Sequence, residues 1–201
     1  FRGFASNVFE GVDRLAVSTF SDWHCFDGGS EDIFMDLHRS LNNDKPIFNT
    51  ESKFDWPEPG KVSRDMWIGA IMGVDGHVVW LWDPPWGGWG KLPYYMLQHP
   101  PGLHAGGRTT LDLQRLMPEV HAVSRHEPPV RLIYSMPSRV DDFEAYSQSN
   151  YDAYDVVSRA GLTVGFWTED QVQRRDWDQT KLVVLAGVSR IEPATADALV
   201  E

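Results

Sequence analysis

Hydrophobic and polar positions along this chain switch repeatedly between two periods. Short apolar runs of strand length alternate with stretches whose apolar residues recur every three or four positions, the spacing of one helix face. The run Leu15-Ala16-Val17-Ser18-Thr19-Phe20 reads as a buried strand, and the polar, aromatic stretch 21–29 as the loop after it. Ser30 is an N-cap candidate for a helix reaching Leu41, with Ile33, Phe34, Leu37 and Leu41 on its apolar stripe. Residues 45–50 read as a second strand. A helix from about Ser63 carries Met66, Trp67, Ala70 and Ile71 on one face and stops among the glycines at 73–76. Residues 77–82 read as a third strand.

Residues 83–107 are rich in Pro, Gly and Trp and lack a clean period. Their aromatic content (Trp86, Trp89, Tyr94, Tyr95) predicts a substrate-facing loop. Asp83, Trp86 and Trp89 either line an entrance or fold the loop on its own aromatics. A helix over 110–124 follows, with Leu113, Leu116, Met117 and Val120 as its stripe. Glu127-Pro128-Pro129 then breaks the pattern, which divides the chain into domains 1–127 and 128–201. After the break, strands are expected at 130–134, 162–166 and 181–185, and helices at 146–160 and from Pro193. The acidic run Asp141, Asp142 and Glu144 reads as a solvated helix start, favourable against the helix dipole. The strand-helix order in both halves predicts an α/β fold of parallel βαβ units, the second doubly wound.

Composition narrows the partners. A formal net charge of -11 with no compensating Lys/Arg cluster argues against nucleic acid. The single cysteine, Cys25, excludes an internal disulfide and a Cys-rich zinc site, and His24 beside it adds only weak evidence for a metal. No metal and no cofactor is expected. There is no apolar run of about 18 residues to span a membrane. The compartment stays open, with a soluble, cytoplasmic setting slightly favoured. Phe1 is not an initiator Met, and the C-terminus falls within a helical pattern, so the chain is expected to be part of something longer.

The candidate chemistry lies where the second strand ends. Pro46-Ile47-Phe48-Asn49-Thr50-Glu51 delivers a carboxylate to the C-terminal edge of a strand, where parallel α/β barrels place catalytic groups. Trp80 and Trp82 share a face of the third strand while it stays regular. Trp82, nearer the edge, is the candidate platform for a sugar ring, and Trp80 reads as packing. Asn49 is a candidate substrate contact that shares the side of Glu51 only in a regular strand. From pattern alone, Glu51 is either a solvated strand-end carboxylate or a catalytic one.

The segments 46–51, 66–73 (Met-Trp-Ile-Gly-Ala-Ile-Met-Gly) and 79–82 together resemble the last strands of a clan A glycoside hydrolase barrel. The nearest match is the β-galactosidase-like group of family 42. Residues 110–120 resemble that group's final barrel helix. Residues 132–135, 151–153 and 181–186 resemble the start of its flavodoxin-like trimerisation domain. The resemblance implies that residues 15–20, 45–50 and 77–82 are strands six, seven and eight of a (β/α)8 TIM barrel, followed by an incomplete flavodoxin-like domain. Glu51 would then be the nucleophile of a retaining glycosidase acting on a carbohydrate. The acid/base at the end of strand four would lie outside this chain, leaving the chain alone inactive. Trp23 and His24 would follow strand six at the same rim and contact sugar; the alternative for His24 is a hydrogen-bonded loop histidine. A homo-oligomer, a trimer, is implied for the full-length protein. Two other functions compete. One is a non-catalytic carbohydrate-binding or assembly protein on the same scaffold. The other is a nucleotide-responsive role for 130–201, against which stands the absence of glycines in the loop Ser135-Met136-Pro137-Ser138.

Overall fold

A computed structural model of the chain describes residues 14–26, 32–41, 44–52, 54–80, 96–174 and 179–200. Their contacts define two units. One comprises the described parts of Trp23–Met35 and Asp44–His126, the other those of Phe1–Asp22, Asp36–Asn43 and Glu127–Glu201. Both are α/β with parallel sheets.

The first unit is built on the sheet β1 (His24–Phe26), β2 (Ile47–Ser52) and β3 (Gly76–Val79), with β2 in the centre. β1 and β2 pair from His24 opposite Ile47 to Phe26 opposite Asn49. β2 and β3 pair from Phe48 opposite Gly76. Asp75 fixes the start of β2, because its carboxylate accepts the Ile47 N–H at 2.8 Å and its own N–H donates to the Ile47 carbonyl at 2.8 Å. Between β2 and β3 runs the helix Pro59–Ile71, which opens with proline in its first turn and stops at Gly73, whose φ of 91° only glycine adopts freely. That helix packs along a second one, Pro100–Arg115. Phe54, Trp56, Val62 and Met96 form the core between them and the sheet, joined by Met66 and Val79.

The second unit has β4 (Val130–Tyr134) between β5 (Val164–Thr168) and β6 (Leu182–Val184). β4 and β5 are buried along their whole length, as expected of parallel strands covered on both faces. The helix Phe143–Arg159 is capped by Asp142, whose carboxylate accepts the Ala145 N–H, so the acidic run is the helix start that the sequence predicts. Its Tyr146 is buried, donating to the Ile133 carbonyl at 3.0 Å and accepting the Ser135 N–H at 2.9 Å. The free edge of β5 is closed by Ser40, whose hydroxyl oxygen accepts the Phe166 N–H at 2.9 Å.

Three expectations are corrected. Residues 15–20 belong to a helix, Arg14–Phe20, in which Val17 and Phe20 are exposed. The strand lies further on, at His24–Phe26, inside the expected loop. A short apolar run carries no period to separate strand from helix, and here pairing with β2 selects His24–Phe26 further on. The expected helix 110–124 begins ten residues earlier, at Pro100, and breaks into Pro100–Arg115 and Met117–Ser124. Pro100 and Pro118 each sit in a first turn, where proline's missing N–H is not needed. The loop Ser135–Ser138 also opens a short helix, Met136–Asp141, with Ser135 as its N-cap. Residues 81–95, which include most of the expected substrate-facing loop, lie outside the described residues.

Candidate active site

Glu51 is the fifth of the six residues of β2 and lies at its C-terminal end, half-buried. The strand is not regular there. Asn49 stands opposite His77 and Ser52 opposite Val79, so three steps on β2 match two on β3, and the register shifts between Asn49 and Ser52. His77 and Val79 both face the helix layer: His77 packs against Phe54 with ring centroids 5.2 Å apart, and Val79 joins the Phe54–Trp56 core. Paired side chains in a parallel ladder point the same way, so Asn49 and Ser52 share that face although an odd number of residues separates them. A bulge absorbs the difference at Thr50 and Glu51. The regular alternation that would put Glu51 beside Asn49 is therefore broken.

Several hydrogen bonds hold this end of the strand. Glu51 N–H donates to Asn49 Oδ1 at 3.2 Å, and Ser52 Oγ donates to the Asn49 carbonyl at 3.4 Å. Ser52 Oγ also lies 2.8 Å from His77 Nδ1. On either side, Thr50 Oγ1 donates to the Phe26 carbonyl at 3.1 Å and Trp80 N–H to the Ser52 carbonyl at 3.0 Å. Burial pushes the His77 imidazole down to about 4, so it is neutral at ordinary pH.

Trp80, read from sequence as packing, is 38% exposed directly after β3 and bonded through its N–H to the residue after Glu51. The expected platform, Trp82, lies outside the described residues, as does Lys53. Trp23 and His24 are described, and the rim expected for them is corrected. They lie at the start of β1, with His24 opposite Ile47, four residues and roughly 13 Å along the sheet from Glu51. Trp23 packs edge-on against Phe48 with centroids 5.2 Å apart, while His24 is buried and its pKa is lowered by burial and by the nearby Lys45 charge. Of the five residues picked out in the sequence, Glu51 and Asn49 are linked through the Glu51 backbone N–H, while the Asn49 side chain turns to the helix layer and not to the side of Glu51. Ser52 and His77 were missed; the signal for them was the polar run Asn49-Thr50-Glu51-Ser52, too long for clean alternation.

Behind the sheet an apolar cavity of about 510 Å³ opens between the helices, lined by Trp56, Met66, His77, Val79 and Leu113 among others, and Glu51 is not part of its wall. Among the described residues no group of three or more His, Cys, Asp or Glu is placed to hold a metal, and Cys25 is exposed. Nor is any described helix long and apolar enough to cross a membrane.

Two solved structures of glycoside hydrolases share the fold. The apo exo-carrageenase GH42 from Bacteroides ovatus superposes with a TM-score of 0.78 at 17% identity, covering 94% of this chain and 30% of that one. The polyextremophilic β-galactosidase from the Antarctic haloarchaeon Halorubrum lacusprofundi gives 0.62 at 17% identity, covering 94% and 34%. The chain thus spans about a third of either structure. No protein-family model and no curated protein matches the sequence.

Proposed function

We propose that this chain is the C-terminal part of the catalytic barrel of a retaining glycoside hydrolase of the family 42 type. In this reading β1, β2 and β3 are strands six, seven and eight, with β1 taking the place expected for residues 15–20. Residues 128–201 begin a flavodoxin-like domain that serves trimer assembly. Glu51 is the nucleophile. Its carboxylate attacks the anomeric carbon of a β-galactoside or related sugar, the glycosidic C–O bond breaks, and the leaving oxygen takes a proton from an acid outside this chain. Water then hydrolyses the glycosyl ester. Trp82 and the exposed Trp80 supply the apolar surface under the sugar ring.

One observation carries the reading. Glu51 stands at the C-terminal end of the central parallel strand in a chain whose fold aligns over 94% of its length with two glycosidases. Three strands cannot close a barrel, and a retaining site needs a second carboxyl about 5–5.5 Å from the first. The isolated chain is therefore inactive in this account, and the test belongs to the full-length protein. There, Glu51→Gln abolishes turnover of an aryl β-galactoside while leaving sugar binding within a few-fold. Turnover at the wild-type rate in that variant would sink the assignment.

A further inference from the structure

Three bonds converge on the bulge that carries Glu51, and all three come from residues facing away from it. Ser52 Oγ lies 3.4 Å from the Asn49 carbonyl and is hydrogen-bonded to Nδ1 of a neutral His77 at 2.8 Å. Asn49 Oδ1 accepts the Glu51 N–H at 3.2 Å. Asn49 is 7% exposed and Ser52 1%, so both are anchored in the helix-facing layer while Glu51 is not.

We propose that Asn49, Ser52 and His77 form a latch that holds the β2 bulge and thereby sets the position of the Glu51 carboxylate. None of the three touches substrate; they are positioning residues. The inference rests on the reading of Glu51 as nucleophile.

His77 is the part of the latch furthest from the reacting atoms, and its own place is fixed by the helix behind it. A Cβ on Gly69 would lie 3.0 Å from His77 Nε2, so the imidazole occupies the space that glycine leaves. The Phe54 ring closes its other side. Burial supports the same arrangement, because the imidazole stays neutral at ordinary pH and Nδ1 pairs with the Ser52 hydroxyl in either tautomer. A regular strand needs none of these bonds. A bulge leaves one residue out of the ladder, and side-chain bonds must replace what the ladder no longer supplies.

The latch is tested in the full-length protein by kinetics on an aryl β-galactoside. Ser52→Ala and His77→Phe lower kcat by about 10- to 100-fold, because a displacement of about 1 Å at the reacting carboxylate carries a cost of that order. KM stays within about two-fold, since no sugar contact is lost. His77→Asn, which presents a side-chain nitrogen where Nδ1 lies, restores kcat to within about three-fold of wild type. Gly69→Ala, which pushes on His77 from behind, falls in the same direction as His77→Phe. Wild-type kcat in Ser52→Ala and His77→Phe, with Glu51→Gln inactive, overturns the latch and spares the nucleophile. An active Glu51→Gln overturns the reading beneath it. Should His77→Phe not fold, Asn49→Ala removes the acceptor of the Glu51 N–H without touching His77, and unchanged kcat there also overturns the latch. Loss of kcat that only tracks the urea midpoint, without rescue by His77→Asn, marks a merely structural role and counts against it.

Discussion

His77 shows how one buried side chain ties stability to pH. Its pKa falls from 6.5 in the unfolded chain to about 4 in the folded one. Below pH 6.5 the unfolded chain binds a proton that the folded one refuses. Stability is thus full above pH 6.5 and falls as the pH drops toward 4, by up to about 3 kcal/mol from this group. His24, also held low by burial, acts in the same direction. Urea unfolding at pH 7.5 and 4.5 should show the loss, and His77→Asn should remove most of that difference. An identical pH dependence in the variant would count against it. Glu51 was legible in the sequence because a carboxylate closing an apolar run is a local signal. The bulge beneath it was not, since it arises from pairing with β3 and depends on which face His77 takes.

At the level of elements, the helix Pro100–Arg115 contains its own control experiment. A Cβ on Gly102 would lie 2.1 Å from the Trp56 carbonyl oxygen, whereas one on Gly107 meets nothing within 4 Å. Gly102→Ala should destabilise the chain by about 1–3 kcal/mol through forced backbone movement. Gly107→Ala should stabilise it by about 0.5–1 kcal/mol through helix propensity alone. Thermal or urea unfolding of the two variants checks the opposite signs. The same glycines, with Pro100 and Pro101, made this helix read as a loop: composition signalled a breaker, whereas tight packing accounts for Gly102. In the second unit, Ser40→Ala leaves the Phe166 N–H of the β5 edge without its acceptor and should cost about 1–3 kcal/mol. β4, β5 and the helix Phe143–Arg159 were readable because their signals are local: apolar runs, a capping Asp142 and a terminating Gly161. The helix Arg14–Phe20 and the strand His24–Phe26 were not, because only tertiary pairing separates them.

For the whole molecule, the described residues form two α/β units, each with a three-stranded parallel sheet, and the proposed function takes the sheet β1–β3 as part of a barrel. The likeness to the carrageenase and the β-galactosidase is one of fold at 17% identity, so the proposed chemistry rests on Glu51 and its surroundings. The central claim is that this carboxylate forms the covalent bond to sugar. It is tested most directly by treating the full-length protein with an activated 2-deoxy-2-fluoro-β-galactoside, which traps the glycosyl ester, and mapping the label by peptide mass. One added fluorogalactosyl group is expected on the peptide that contains Glu51, absent from Glu51→Gln. A label on any other residue, or the same labelling of Glu51→Gln, would contradict it.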